Sequence, residues 1–209
     1  MIMLKHVIFY NGTEVSMKCS IVLTMLIAFL GLTNQLHSQF GVELNGGLTV
    51  PQDSRSKSDF NEGLSGGLGL TYRVMNSLDI MTVIHYHSFN NTQETKFGLF
   101  TSKVTTTVEY MPIMVGARYT FSDGGIQPFI SGTIGSANGT ATLVATSNIA
   151  PESRAETTKT FTAICLGGGV KFKINNQLSL LGMAEYTMLE KDNDKPEMLA
   201  IKVGLRVNL

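Results

Sequence analysis

From Phe40 to Leu209, apolar and polar side chains alternate with a period of two in one segment after another. The last segment is the sharpest. Leu199, Ile201, Val203, Leu205, Val207 and Leu209 fall on one side, and Ala200, Lys202, Gly204, Arg206 and Asn208 on the other. A β-strand points successive side chains to opposite sides, so this pattern predicts a strand with a hydrocarbon face and a face carrying two cations and an amide. In a soluble sheet the hydrocarbon would meet a core. In a membrane barrel it meets lipid, and the polar side lines the lumen.

The same alternation predicts seven earlier strands. Phe40 to Val50 puts Phe40, Val42, Leu44, Leu48 and Val50 opposite Glu43, Asn45 and Thr49, and Leu64 to Val74 sets Leu64, Leu68, Leu70, Tyr72 and Val74 against Ser65, Thr71 and Arg73. A third strand begins at Leu78, with Leu78, Ile80, Ile84 and Tyr86 on one face and Asp79, Met81, Val83, His85 and His87 behind. The fourth, about Val104 to Phe121, loses its apolar parity near Pro112, where a bulge is expected. The fifth runs from Ile126 to Ser136, the sixth from about Phe161 to Lys173 and the seventh from Leu178 to Met188. Polar stretches at Pro51 to Asn61, Asn90 to Lys103, Asn138 to Lys159 and Glu190 to Pro196 are expected to be loops, the third with possible strand extensions. Tight turns separate the other pairs.

About eight strands of roughly 9–13 residues match the length a tilted strand needs to cross a bilayer. The connections alternate long and short, as in an up-and-down transmembrane barrel with tight periplasmic turns. This register sends Glu43, Arg73, Asp79, Arg118, Lys171, Glu185, Lys202 and Arg206 inward as a charge network, together with His85 and His87. Charges in a narrow low-dielectric interior must be paired. An eight-stranded barrel is just wide enough to be filled by its own side chains, so no wide pore is expected; a thin water path past Gly167 and Gly169 is the alternative. Tyr72, Tyr119 and Phe172 fall on the apolar face near periplasmic ends, and Tyr86 and Tyr186 near outer ends. They are expected to form two aromatic girdles.

The front of the chain reads differently. Ile21 to Leu32 is apolar, with Met17-Lys18 before it and Thr33 to Ser38 after it. At 12 residues it is too short for a transmembrane helix, which needs roughly 20. It has the layout of a cleavable signal peptide, giving 1–38 as extension and signal, with Met17 as the expected true start, and 39–209 as the barrel domain. Removing that segment takes Cys19 away and leaves Cys165 alone, so no internal disulfide is expected. Zero formal net charge gives no electrostatic case for nucleic acid, and 21 glycines with no tryptophan suit a sheet protein with many turns.

Candidate chemistry is sparse. His85 and His87 share a face and offer two nitrogens, but no third ligand has the right spacing, so no metal or cofactor is expected. His85-Tyr86-His87-Ser88 invites comparison with lipid-modifying barrel enzymes, yet His87 and Ser88 are adjacent and point to opposite faces. No catalytic residue is assigned. The glycine runs at Gly66-Gly67 and Gly167-Gly168-Gly169 lack the helical periodicity of a nucleotide site and are more simply read as strand glycines. A secreted, lipocalin-like carrier would need the apolar faces turned inward.

IMVGARYTFSDGGIQPFISGTIG, a strand, tight turn and strand, together with the C-terminal KVGLRVNL, resembles the small outer-membrane β-barrels of the OmpA/OmpX kind, often filed as porin-family barrels. The resemblance covers 39–209 as a pattern. It implies an outer-membrane location after export, outer-membrane lipid and the barrel assembly machinery as partners, and a structural or surface-interaction role rather than an activity. The external partner is not implied. Val203, Leu205, Val207 and Leu209 resemble the family's C-terminal assembly signal, although Leu209 stands where an aromatic residue is usual.

Overall fold

The computed structural model describes residues 39–53, 60, 62–97, 100–147, 152–192 and 194–209. Eight strands follow in chain order: β1 (Phe40–Pro51), β2 (Gly63–Met75), β3 (Leu78–Phe97), β4 (Phe100–Thr120), β5 (Ile126–Ser147), β6 (Ser153–Lys173), β7 (Leu178–Glu190) and β8 (Glu197–Asn208). Each pairs antiparallel with its sequence neighbours, and β1 pairs with β8 from Gly41↔Asn208 to Pro51↔Met198, closing the sheet into a barrel. Closure removes the unpaired edges that a membrane interior would not tolerate. The expected signal segment lies outside the described residues.

The strand faces follow the alternation. Leu44, Leu48, Leu64, Ile80, Ile113, Val115, Ile130, Ile134, Leu166, Ile201 and Val203 point outward and are exposed, while Glu43, Asp79, His85, His87, Arg118, Lys171, Glu185, Lys202 and Arg206 are buried inside. Hydrocarbon outside and ionised groups inside is the polarity of a barrel solvated by lipid, and the opposite of a lipocalin-like carrier.

Strand length departs from expectation. β1, β2, β7 and β8 have 12 or 13 residues, whereas β3 to β6 have 20 to 22. The stretch from Asn90 to Lys103, expected to be a loop, is instead the continuation of β3 and β4, paired as far as Phe97↔Phe100. Most of Asn138 to Lys159 is likewise a ladder, reaching Ala145↔Ser153. One half of the cylinder therefore rises above the other by about eight residues, or roughly 25 Å along the strands at about 3.3 Å per residue. Its four strands are joined across the middle by pairs from Ser102↔Ser147 onward. Among the described pairs, β3 meets β2 only up to Phe89, and β6 meets β7 only from Thr162.

The expected bulge at Pro112 is absent. The β4–β5 ladder runs through Met111↔Asn138 and Pro112↔Ala137 without a shift, and β4 keeps one register with β3 on both sides of an interruption between Ile84↔Ile113 and His87↔Tyr110. Proline simply lacks the N–H that would bridge there. The apolar parity changes here because the surroundings change at this level. Below it Met111, Ile113 and Val115 face outward; above it the outward positions are Glu109, Thr107 and Thr105, and the inward ones are Tyr110, Val108, Thr106 and Val104. The outward face turns from hydrocarbon to polar, as expected where lipid gives way to water.

Candidate functional site in the lumen and at its outer mouth

Near the turn ends of the strands the lumen holds charges. Arg118 Nη1 donates to Glu43 Oε1 at 2.5 Å, and Arg206 Nη1 reaches the same oxygen at 3.3 Å and Asp79 Oδ2 at 2.5 Å. Arg73 adds a longer pair with Asp79 at 3.4 Å and is partly exposed. The Arg118 guanidinium also lies 4.4 Å from the ring centre of Phe129, a cation–π contact. Lys171 is buried beside this group, while Lys173, two residues on, is exposed at the strand end. Shared oxygens let two acids hold three guanidinium groups, which is how such an interior offsets its desolvation cost.

At mid-strand Lys202 Nζ donates to Glu185 Oε2 at 2.6 Å, and His85 Nδ1 lies 3.7 Å from that oxygen. His87 stands above His85, with ring centres 6.1 Å apart. Both His87 nitrogens, Asn45 Oδ1, Thr49 Oγ1 and Ser65 Oγ are buried without a hydrogen bond inside the protein. No cluster of three metal-ligating side chains occurs among the described residues, and the Lys202 ammonium on Glu185 sets a positive charge where a cation would have to sit. Ser88 points away from His87, outward beside Tyr86, so no base and nucleophile pair forms.

Neighbouring groups crowd the glycines that could line a water path. A Cβ on Gly167 would lie 2.8 Å from Ser131 Oγ, and one on Gly169 would meet Gly182 O at 2.2 Å and the Phe129 ring at 2.9 Å. Neighbours occupy the space these residues leave. Gly67 does the same for His85 and Asn45.

Toward the outer end the interior becomes apolar. Phe89, Phe161, Ala137, Ala163, Leu189 and Met198 form one buried cluster with Met81, Val83, Met114 and Cys165, and Phe60 and Tyr110 pack against it. Phe129, Leu181 and Met183 form a second, smaller cluster. Above the first, a cavity of about 90 Å³ is lined by Pro51, Asp53, Phe60, Phe89, Val108, Tyr110, Pro196, Glu197 and Met198. None of these stands out in the sequence as a site. The available signal is that Phe89, Tyr110, Phe161, Leu189 and Met198 all fall on the lumen parity, Leu189 and Met198 at the outer ends of β7 and β8 and the other three in the middle of β3, β4 and β6.

The aromatic residues on the outer wall are exposed or half-buried. Tyr72 donates to Gln39 Oε1 at 3.0 Å and packs at a tilt against Phe40 with ring centres 4.9 Å apart; Tyr119 packs on Phe121 at 5.1 Å. Phe172 is 43% exposed. The Tyr86 and Tyr186 hydroxyls donate to Glu109 and Glu197 respectively. Because β3 continues to Phe97, Tyr86 lies in mid-strand rather than near the strand end, at the level where the outward face turns polar. At the C-terminus Val203, Leu205 and Val207 point outward and Leu209 follows the end of β8.

A closed ring of antiparallel strands, apolar outside and ionised inside, defines an integral membrane β-barrel. The chain belongs to the outer membrane protein beta-barrel domain family, whose model matches residues 20–206, and its place is the bacterial outer membrane. None of the curated proteins matches. Among solved structures, Neisserial surface protein A is similar over 81% of this chain and 97% of its own, with 17% identity and a TM-score of 0.52. The attachment invasion locus protein Ail of Yersinia pestis matches over 82% and 99% with 12% identity and a TM-score of 0.49. A major outer membrane protein of Thermus thermophilus matches over 82% and 99% with 10% identity and a TM-score of 0.49.

Proposed function

We propose that this barrel is a non-enzymatic surface-interaction protein that holds a rigid sheet above the outer membrane. The observation that carries this reading is the rise of β3 to β6 beyond the other strands. Its outward side is a paired array of hydroxyls and amides. Thr92 and Thr105 hydroxyls lie 3.2 Å apart, Thr107 donates to Asn90 at 2.8 Å, Thr140 and Thr158 lie 3.3 Å apart, and Thr160 donates to Asn138 at 3.1 Å. Cross-strand bonds of this kind hold a surface in one shape, which lowers the ordering cost of a contact made there. The packed lumen supports an anchor rather than a conduit.

The test has two arms. Refolded protein in planar bilayers is expected to give no stepwise conductance; reproducible open levels would favour the narrow-pore reading. On cells, replacing residues 91–106 by a two-residue turn is expected to abolish attachment to the surfaces that the parent strain colonises, with the heat-dependent gel shift of a folded barrel retained. Unchanged attachment would overturn the interaction role. Outer-membrane lipid is the constant partner in this reading. The assembly machinery would meet the outward row Val203, Leu205, Val207 and Leu209, and Leu209→Phe is expected to speed assembly in a pulse-chase experiment; an unchanged rate would argue against that row as the signal.

A further inference from the structure

The charges sealed in the lumen do not balance. Among the described residues four buried cations, Arg118, Lys171, Lys202 and Arg206, face three buried carboxylates, Glu43, Asp79 and Glu185. Arg73, partly exposed, adds a further positive charge, and protonation of His85 or His87 would only enlarge the surplus. The three acids are already taken: Glu43 by Arg118 and Arg206, Asp79 by Arg206 and Arg73, and Glu185 by Lys202. The surplus falls on Lys171. It is 4% exposed, and among the described residues its ammonium makes no ion pair and no hydrogen bond. Asp79 acts on it only from beyond contact distance, against the repulsion of Arg73, Arg118 and Arg206. A buried charge without a counter-charge is among the costliest features a fold can carry.

The surroundings of Lys171 select the counter-charge. Its ladder partner on β5 is Gln127, which shares its lumen parity; on β7 it faces Leu181, with buried Ser179 as the diagonal neighbour toward the strand end. An amide N–H and a hydroxyl thus flank the ammonium within reach of a long side chain. Arg118 Nε, in the same charge network, is buried without an acceptor. Phe129, Leu181 and Met183 occupy the level of Lys171 and the one above it, so apolar side chains bar the way toward the outer end. A cation would be repelled here, a neutral molecule would leave the surplus in place, and a divalent anion would overshoot it. The interior of an eight-stranded barrel, largely filled by its own side chains, leaves room for an ion of a few atoms at most. We infer that Lys171, with Gln127 and Ser179, forms a binding site for a small monovalent anion of the halide class at the turn end of the lumen.

The test uses the full chain in vesicles of zwitterionic lipid, prepared in the same salt inside and out and unfolded in urea at equal ionic strength. One series contains sodium chloride, the other sodium gluconate, whose anion is too bulky for the lumen. General effects of the two salts are common to all variants, so the part due to the site is the difference from Lys171→Met. Parent and Lys173→Met, altered at the exposed strand end, are expected to show the same additional rise in midpoint in chloride. That rise is about 0.5–1.5 M urea at about ten times the dissociation constant, and Lys171→Met shows none. The gel shift on heating checks that each variant folds. Crystals of the parent grown in bromide give a second measurement, which decides should Lys171→Met fail to fold: anomalous scattering is expected to place bromide in contact with Lys171 Nζ. A parent that responds to the two salts as Lys171→Met does would overturn the inference, and a neutral Lys171 would give that result. Bromide absent from Lys171 would overturn it too, and bromide found there without any chloride dependence of the midpoint would mark an adventitious ion only. The surface role of the raised sheet stands in every case, because the site lies at the other end of the barrel.

Discussion

Replacing Glu43 by Gln tests the energetics of the sealed charge network most directly. Glu43 is 1% exposed, and so are Arg118 and Arg206, the two cations that share its Oε1. Arg206 keeps a second carboxylate, Asp79, but among the described residues Arg118 has no other ion pair. The variant therefore strands one guanidinium in the lumen, with only the Phe129 ring for compensation, worth about 0.5–2 kcal/mol. Losing one partner of a buried pair costs about 3–5 kcal/mol, and the amide oxygen that Gln retains keeps the effect near 3 kcal/mol. With a urea slope of about 1–3 kcal/mol per molar, the unfolding midpoint falls by about 1–3 M. The assay is a urea titration in lipid vesicles, read by heat-dependent mobility on gels and by tyrosine fluorescence, since the chain has no tryptophan. Adding Arg118→Met to Glu43→Gln removes the stranded charge and is expected to recover at least about half of the loss, giving a coupling energy near 2 kcal/mol. Two outcomes refute the reasoning: Glu43→Gln within about 0.5 kcal/mol of the parent, or strictly additive effects of the two substitutions. Either would mean that water reaches the pair and screens it.

Two further predictions use the same titration. Ile201→Lys, in mid-strand on the lipid side, is expected to cost about 2–4 kcal/mol, whereas Thr142→Lys on the outward side of the raised sheet should stay within about 0.5 kcal/mol; equal costs would remove the membrane boundary drawn between them. Gly116→Ala would set a Cβ 1.9 Å from Gly132 O and is expected to destabilise by about 1–3 kcal/mol, while Gly182→Ala meets nothing within 4 Å and should be neutral or slightly stabilising, within about 1 kcal/mol.

The eight strands and their two faces were legible because lipid enforces the alternation strictly. A residue such as Ile201 or Lys202 has one tolerable side, and a one-residue slip would reverse every such choice. The upper parts of β3 to β6 were not legible. There Thr, Asn and Ser occupy both the ladder and the outward face, and those residue types also signal loops. Glu43, Arg118 and Arg206 could be sent inward from the sequence, but their pairing could not be read. Glu43 and Arg206 are register partners only because β1 closes on β8, and Arg118 reaches Glu43 from β4 across the lumen, which depends on strand tilt and stagger. The aromatic cavity was hidden for a related reason. Phe60 comes from the connection after β1, Phe89 and Tyr110 from neighbouring strands, and each looks like an ordinary apolar residue on its own.

The exchange of polarity at the level of Met111 and Asn138 has a consequence for how this chain accommodates change. Below that level a drift toward hydrocarbon on the wall is silent and a drift toward charge is punished; above it the bias is reversed. A complete substitution map would therefore carry a single waterline around the cylinder, and its height, read from tolerance alone, would report how deeply the protein rides in the bilayer.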